Sequence, residues 1–288
     1  MIQENIKQRM ENKGVSIILG SYNRLNFLKI TIKTIREELE NCKFPFEIIV
    51  IDGGSLDGSL KWLIKQKDII AIVQHNRGFW KGKKIDRKSW GYFMNLGFKI
   101  AKGKYICMVS DDCLIVPGAI KNGIKLFENK LSNKEKIGAI AFYFRDWPFN
   151  KKYHVNKNFE KIYVNHGLYL KDALKQVEYI DEENYLFYGA DIDLCMKLYQ
   201  AGYDCVDCNQ SFIEHYYHAN KKVRASNDIF VDKDTKTLQK KWEKYGKLGG
   251  SQVFVEYKDK YQTAKKFWNK FILKAYLNTL FQKINEKR

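Results

Sequence analysis

Val15-Ser-Ile-Ile-Leu-Gly-Ser-Tyr-Asn-Arg24 begins as a mainly apolar run and ends in polar side chains, and the residues that follow change period. Leu28, Ile32, Ile35 and Leu39 recur at steps of three and four, the spacing of one helix face, so the stretch reads as a buried strand feeding a helix. The unit then repeats. Glu47-Ile-Ile-Val-Ile51 is a second strand, with Ser55 expected to cap a helix that turns Leu60, Leu63 and Ile64 inward. Ile69-Ile-Ala-Ile-Val73 is a third, a helix covers Trp90 to Ala101, and Tyr105-Ile-Cys-Met-Val109 is a fourth. Pro117 suits the first turn of a helix carrying Ile120, Ile124, Phe127 and Leu131, and Ile137 to Phe144 makes a fifth strand. Largely apolar strands alternating with helices predict an α/β fold with a mostly parallel sheet covered on both faces.

Beyond residue 150 the pattern loosens. One helix begins near Asp193 and stops at Ala201-Gly202, and another covers Asp234 to Tyr245. The expected organisation is an N-terminal extension (1–14), a ligand-binding half (15–145), a second half of the same domain (146–225) and a C-terminal helical extension (226–288).

Four strands end in polar residues that a fold alone does not demand: Ser21-Tyr22-Asn23-Arg24, Asp52-Gly53-Gly54-Ser55, Gln74-His75-Asn76 and Ser110-Asp111-Asp112. In an open parallel sheet the carboxyl ends of the strands open onto one crevice, where ligands bind. Polar turns explain any single one of these segments better than they explain all four. Asp111-Asp112 is the most informative. Two adjacent carboxylates at a sheet edge repel unless a cation sits between or beside them, and hard divalent ions such as Mg²⁺ or Mn²⁺ favour oxygen ligands shared with phosphates. Helix capping ahead of Pro117 accounts for at most one of the pair.

Composition narrows the class. The chain has 288 residues, 45% of them hydrophobic, enough for a full core. The polar start lacks a signal-peptide core and no run has the roughly 18–20 apolar residues that span a bilayer, so six cysteines read as reduced thiols in a cytoplasmic setting. The net charge of +18 points to phosphate-bearing substrates, an anionic membrane or nucleic acid. The phosphate loops of other nucleotide enzymes are missing: Gly78-Phe-Trp-Lys-Gly-Lys-Lys84 is one residue short of a P-loop and lacks its Ser/Thr, and no G-x-G-x-x-G follows a strand. A bound diphosphate then needs neutralising by metal and basic side chains.

In order and spacing, the segments Ser16 to Arg24, Ile49-Val-Ile-Asp-Gly-Gly-Ser-Leu-Asp-Gly58, Ser110-Asp-Asp-Cys-Leu-Ile-Val-Pro-Gly118, Phe187-Tyr-Gly-Ala-Asp-Ile-Asp-Leu-Cys195 and Ala201-Gly-Tyr203 resemble the motifs of family 2 glycosyltransferases with the GT-A fold. The resemblance covers roughly residues 14 to 220. It implies an inverting transfer of a sugar from a nucleotide-sugar, UDP being the commonest carrier, to a glycan or lipid-linked acceptor. It also implies roles: Ser21 and Tyr22 in the nucleoside pocket, with Asn23 and Arg24 beside them; Asp52 on the base; Asn76 near the nucleotide. Asp112 matches the last acid of the DXD motif that holds Mn²⁺ or Mg²⁺. Asp111 would take a ribose or metal contact, and His215 would complete the metal shell or touch the diphosphate. Asp191 matches the general base, with Asp193 favouring the helix start. The sequence departs from the family pattern at Ser110, in place of the first DXD acid, at Ala190 before the base, and at Gly53.

Cys205-x-x-Cys208 with His215-x-x-His218 suggests zinc, but the gap between the pairs is shorter than in usual fingers and the His pair is tighter than the common spacing. A nucleic-acid binder suits the lysines and aromatics, yet no recognition motif is present and the strand-end acids go unexplained, so no nucleic acid is expected. The basic amphipathic segment 262–288 either rests on an anionic membrane or packs on the domain. The basic stretch Phe79 to Lys88 is longer than the family pattern and has no assignment.

Overall fold

The computed structural model describes residues 2–76, 79–146, 150, 152–216 and 221–256. In chain order the elements are α1 (Ile2–Lys13), β1 (Val15–Ser21), α2 (Leu25–Leu39), β2 (Phe46–Asp52), α3 (Ser59–Leu63), β3 (Ile69–Val73), the short hairpin β4 (Phe79–Trp80) and β5 (Lys83–Lys84), α4 (Trp90–Ile100), β6 (Tyr105–Met108), β7 (Cys113–Ile115), α5 (Ala119–Ser132) and β8 (Ile137–Asp146). Then follow β9 (Tyr153–Asn158), β10 (Lys161–Ile162), β11 (Gly167–Leu170), α6 (Lys171–Gln176), α7 (Ala190–Gln200), β12 (Asp204–His215), α8 (Lys221–Asp228), α9 (Val231–Trp242) and β13 (Gly250–Val255). Among the described residues one sheet runs β10-β9-β8-β11-β6-β1-β2-β3, with β12 joined to both β7 and β8, and β13 to β9.

The alternation of side chains along each strand sorts them into two cores. Val15, Ile17 and Leu19 of β1, Ile48 and Val50 of β2, and Tyr105 and Cys107 of β6 face α2, α3 and α5. Ile18, Ile49, Ile51, Ile106 and Met108 face α4, α6 and α7. Both faces are covered, as an α/β fold requires. The parallel part is β3-β2-β1-β6. Past β6 the sheet is mixed: β11 lies antiparallel between β6 and β8, and β12 runs parallel to β8 but antiparallel to β7. In that half β8, β9, β10 and β11 follow one another through loops, and α6 and α7 come only before β12, so strand and helix no longer alternate and the sequence pattern loosens.

Several helix ends differ from the sequence reading. Ser55 does not cap α3; its Oγ accepts the Asn23 N–H at 2.8 Å. Asp57 takes both helix starts instead, its Oδ1 accepting the Ser59 N–H (3.0 Å) and its Oδ2 the Leu25 N–H (2.8 Å). Pro117 lies outside α5, which begins after Gly118. There Glu38 of α2 acts as the cap from a distance, accepting the N–H groups of Gly118, Ile120 and Lys121 at 2.6, 3.0 and 3.1 Å. Neither Asp111 nor Asp112 serves α5. α7 ends as expected, with Gly202 at φ 79°.

Candidate active site

The strand ends converge on a cleft of about 500 Å³. Ser21, Tyr22, Arg24, Asn76, Asp111, Asp112, Asp191 and His215 all line it. The remaining sequence candidates, Asn23 and Asp52, sit behind the wall. Asn23 joins two loops, its Oδ1 accepting the Leu56 N–H at 2.8 Å. Asp52 is fully buried under Gly53 and braces the turn through its Oδ1, which accepts Gly54 N–H (2.9 Å) and Ser55 N–H (2.7 Å). Its Oδ2 is buried without a hydrogen bond among the described residues. Gly54 is required there: at φ 85° a side chain is strained, and a Cβ would stand 2.4 Å from His75 Nδ1.

β6 delivers Asp111 and Asp112 at its end, and Thr31 Oγ1 holds their turn, its one proton shared between Asp111 O (2.9 Å) and Cys113 O (2.8 Å). The cation between the two carboxylates is Arg24, whose Nη1 lies 2.8 Å from Asp111 Oδ1 and 2.7 Å from Asp112 Oδ2. The two acids nevertheless differ. Burial lifts Asp111 to about 6, against the pull of Arg24. Burial acts on Asp112 too, but Arg24 and His215 together outweigh it and hold Asp112 well below the usual carboxylate range.

His215 arrives by register. β12 pairs His215 with Cys113 on β7 and with Asp146 on β8, although a hundred residues separate it from Asp112 in sequence. Its Nδ1 lies 2.8 Å from Asp146 Oδ1, and its Nε2 faces Asp112 Oδ1 at 3.5 Å. Burial would lower its pKa, but the flanking Asp112 and Asp146 raise it to about 9. Asp112 Oδ1 is buried without a hydrogen bond among the described residues. A divalent cation here would use Asp112 Oδ1 and, once His215 gives up its Nε2 proton, the imidazole nitrogen held in place by Asp146, and would take its other ligands from phosphate and water. Among the described residues no group of three or more His, Cys, Asp or Glu side chains is placed to hold a metal by itself.

Asp191 sits in the first turn of α7, after Gly189 at φ 80°. Its Oδ1 accepts the Ile192 N–H (2.9 Å) and its Oδ2 accepts from Asn165 Nδ2 (2.8 Å). Burial raises its pKa to about 6. Asp193 is elsewhere. It is fully buried beneath α9 and accepts from Trp242 Nε1 (2.8 Å) and the Tyr185 hydroxyl (3.1 Å), with Lys241 Nζ at 2.8 Å. Its work is packing.

Other cleft residues carry no signature in sequence. Asp146, His154 and His166 gather around Phe144, and burial lowers His166 to about 3, so it is neutral at pH 7. Asn76 bonds Lys88 through both amide ends, Oδ1 to N–H at 2.6 Å and Nδ2 to O at 3.3 Å. Arg87 then ties this segment to α8 through Ser226 O (2.7 Å) and Asn227 Oδ1, stacking 4.7 Å from the Phe230 ring. Arg87, Lys88 and Arg224 give the cleft its cationic side. The zinc pattern fails on geometry: Cys205 and Cys208 lie three apart on β12 and so enter opposite cores. All six cysteines are free. His218 and the segment 262–288 lie outside the described residues. Among those described, no helix is long and apolar enough to cross a membrane.

Solved structures identify the fold. The fold is that of GT-A glycosyltransferases: it aligns with a Pyrobaculum calidifontis mannosyltransferase solved with GDP-Man and Mn²⁺ at a TM-score of 0.55 and 13% identity, over 78% of this chain and 64% of that one. It also aligns with residues 1–349 of Staphylococcus aureus TarS in complex with UDP-GlcNAc, at 0.50 and 16%, over 79% and 71%. Residues 16–172 match the family model of glycosyl transferase family 2, and the chain belongs to that family. Curated relatives include a chondroitin synthase of Pasteurella multocida, 30% identical over 116 residues (39% of this chain, 11% of that protein). An uncharacterized glycosyltransferase of Mycoplasma genitalium is 28% identical over 138 residues (46% and 42%). The match thus spans less than half the length of either relative.

Proposed function

We propose that the chain transfers one sugar from a nucleoside-diphosphate sugar, UDP being the favoured carrier, to a hydroxyl of a glycan or lipid-linked acceptor, with inversion at the anomeric carbon. The observation that carries this reading is the meeting in one cleft of the Asp111-Asp112 turn, His215 and a base-like Asp191. The neighbours solved with UDP-GlcNAc and with GDP-Man and Mn²⁺ support the donor class.

Ser21, Tyr22 and Gly53 offer a wall for the nucleoside, and Asp52 would act on it from behind by bracing the turn at Gly54 and Ser55. Asp112 and His215 would hold Mn²⁺ or Mg²⁺, which when bound neutralises charge on the diphosphate. Arg24, Arg87, Lys88 and Arg224 add positive charge along the same cleft. Asp191 takes the proton of the acceptor hydroxyl as its oxygen attacks the anomeric carbon. The carbon–oxygen bond to phosphate breaks, and its electron pair leaves with the nucleoside diphosphate. A carboxylate raised to about 6 is still mostly ionised at neutral pH and is a stronger base than an ordinary one. Asp111, also about 6, is engaged by Arg24 and serves better as a contact than as a base.

The test is Asp191→Asn. UDP release from UDP-sugars in the presence of acceptor should fall by about 10²–10⁴-fold. The thermal shift caused by UDP with Mn²⁺ should persist. Full activity in this variant removes Asp191 from the mechanism.

A further inference from the structure

Each oxygen of Asp191 is engaged once, and the bond to Asn165 is the first of a chain. Asn165 Oδ1 accepts from Asn156 Nδ2 at 2.9 Å, and Asn156 Oδ1 accepts from Gln252 Nε2 at 3.2 Å. A primary amide donates at one end and accepts at the other, whereas an ionised carboxylate only accepts. Asp191 therefore dictates which way Asn165 points, Asn165 dictates Asn156, and Asn156 dictates Gln252. Reversing any one amide sets oxygen against oxygen. The order is built by the fold: β13 pairs with β9 in the register that places Gln252 opposite Asn156, and Asn165 stands in the loop before β11. All three amides line the cleft.

We propose that Asn165 is the positioning residue of Asp191, fixing the plane of its carboxylate, and that Asn156 and Gln252 lock Asn165 in the donating orientation. The proposal rests on Asp191 being the base. It brings β13, which lies beyond the family-matched residues 16–172, into the active site. The Ile192 N–H fixes one oxygen of the carboxylate, and rotation about the Cβ–Cγ bond stays open until a second donor meets the other. Other titratable groups near Asp191 are Tyr163 and Tyr169, whose hydroxyls burial holds neutral, and across the cleft His154, His166 and Arg224. No lysine or arginine among the described residues bonds Asp191, so the amide bears the positioning alone on that side.

The experiment compares Asn165→Leu, close in shape but without a donor, and Asn156→Leu with the full-length wild type. Asp191 is titrated by carboxyl NMR in aspartate-labelled protein, its resonance assigned by loss in Asp191→Asn. UDP release from UDP-GlcNAc is followed across pH in parallel. Removing a donor from the charged form should raise the Asp191 midpoint by about one unit in Asn165→Leu, and by less in Asn156→Leu. The acid limb of kcat should move by the same amount, with the donor KM within about twofold of wild type. An Asp191 midpoint unmoved in both variants overturns the proposal, because a packing role leaves it where it was. The titration does not depend on turnover. Wild-type protein that binds UDP without consuming UDP-GlcNAc refutes that donor, and the NMR result still decides the amide chain.

Discussion

Glu214→Gln should destabilise the fold far more than its conservative appearance suggests. Glu214 on β12 and Arg145 on β8 are 1% and 2% exposed, and they meet through two bonds, Nε to Oε2 at 2.6 Å and Nη2 to Oε1 at 2.7 Å. The Tyr153 hydroxyl donates to Oε1 at 2.5 Å, and the guanidinium lies 5.0 Å over the Tyr153 ring. At an effective dielectric near 20, unit charges at ~4 Å attract by about 4 kcal/mol. The amide removes that attraction and turns an N–H₂ toward an arginine that can only donate. A buried charge stripped of its partner costs about 3–5 kcal/mol, a large share of the roughly 5–15 kcal/mol that holds a domain together. With a urea m-value of about 3 kcal/mol/M the midpoint should fall by about 1–1.7 M. The double variant Arg145→Met, Glu214→Met should recover most of the loss, since an apolar pair of similar volume replaces the ion pair without an orphaned charge. A loss below about 1 kcal/mol in Glu214→Gln, or a double variant worse than the single one, would refute the argument. The same substitution should weaken the Mn²⁺-dependent response to UDP, because the β8–β12 register that pairs Glu214 with Arg145 also pairs His215 with Asp146.

Other outcomes follow from the site. Because the base works deprotonated and burial raises Asp191 to about 6, kcat should climb as pH rises through that value. One unit below it, about a tenth of the maximum should remain, as a pH-rate profile would reveal. His215→Ala and Asp112→Asn should each abolish the extra UDP thermal shift that Mn²⁺ provides, and chelation should do the same to wild type; an undiminished Mn²⁺ effect in both would rule out that pair as the metal ligands. Glu38→Ala leaves three N–H groups at the start of α5 without their cap, and chemical denaturation should show a loss of about 1–2 kcal/mol.

The strand-and-helix order of the first half was open to inspection because each element there carries its own period. Leu28, Ile32 and Ile35 all face the same core at 0% exposure, as their spacing requires. The strand-end polar residues were equally legible, since a parallel sheet gathers such ends whatever the loops do. Sequence-local reasoning failed where a partner came from a distant element. Ser55 looked like a cap, but Asp57 took that place; Pro117 looked like a helix start, but Glu38 of α2 decided where α5 begins.

Composition and periodicity were enough to determine an α/β sheet with two covered faces and acids at the end of β6. They also placed Asp191 at the start of a helix. Only the tertiary structure decided that Arg24 lies between the two acids, that Asp193 is packed under α9 while Asp191 faces the cleft, and that a chain of three amides ends on Asp191. The physical reason is that period and propensity are properties of neighbours along the chain. Electrostatic pairing and hydrogen-bond direction depend instead on strand register, which brings together residues such as Asp112 and His215 that nothing local connects.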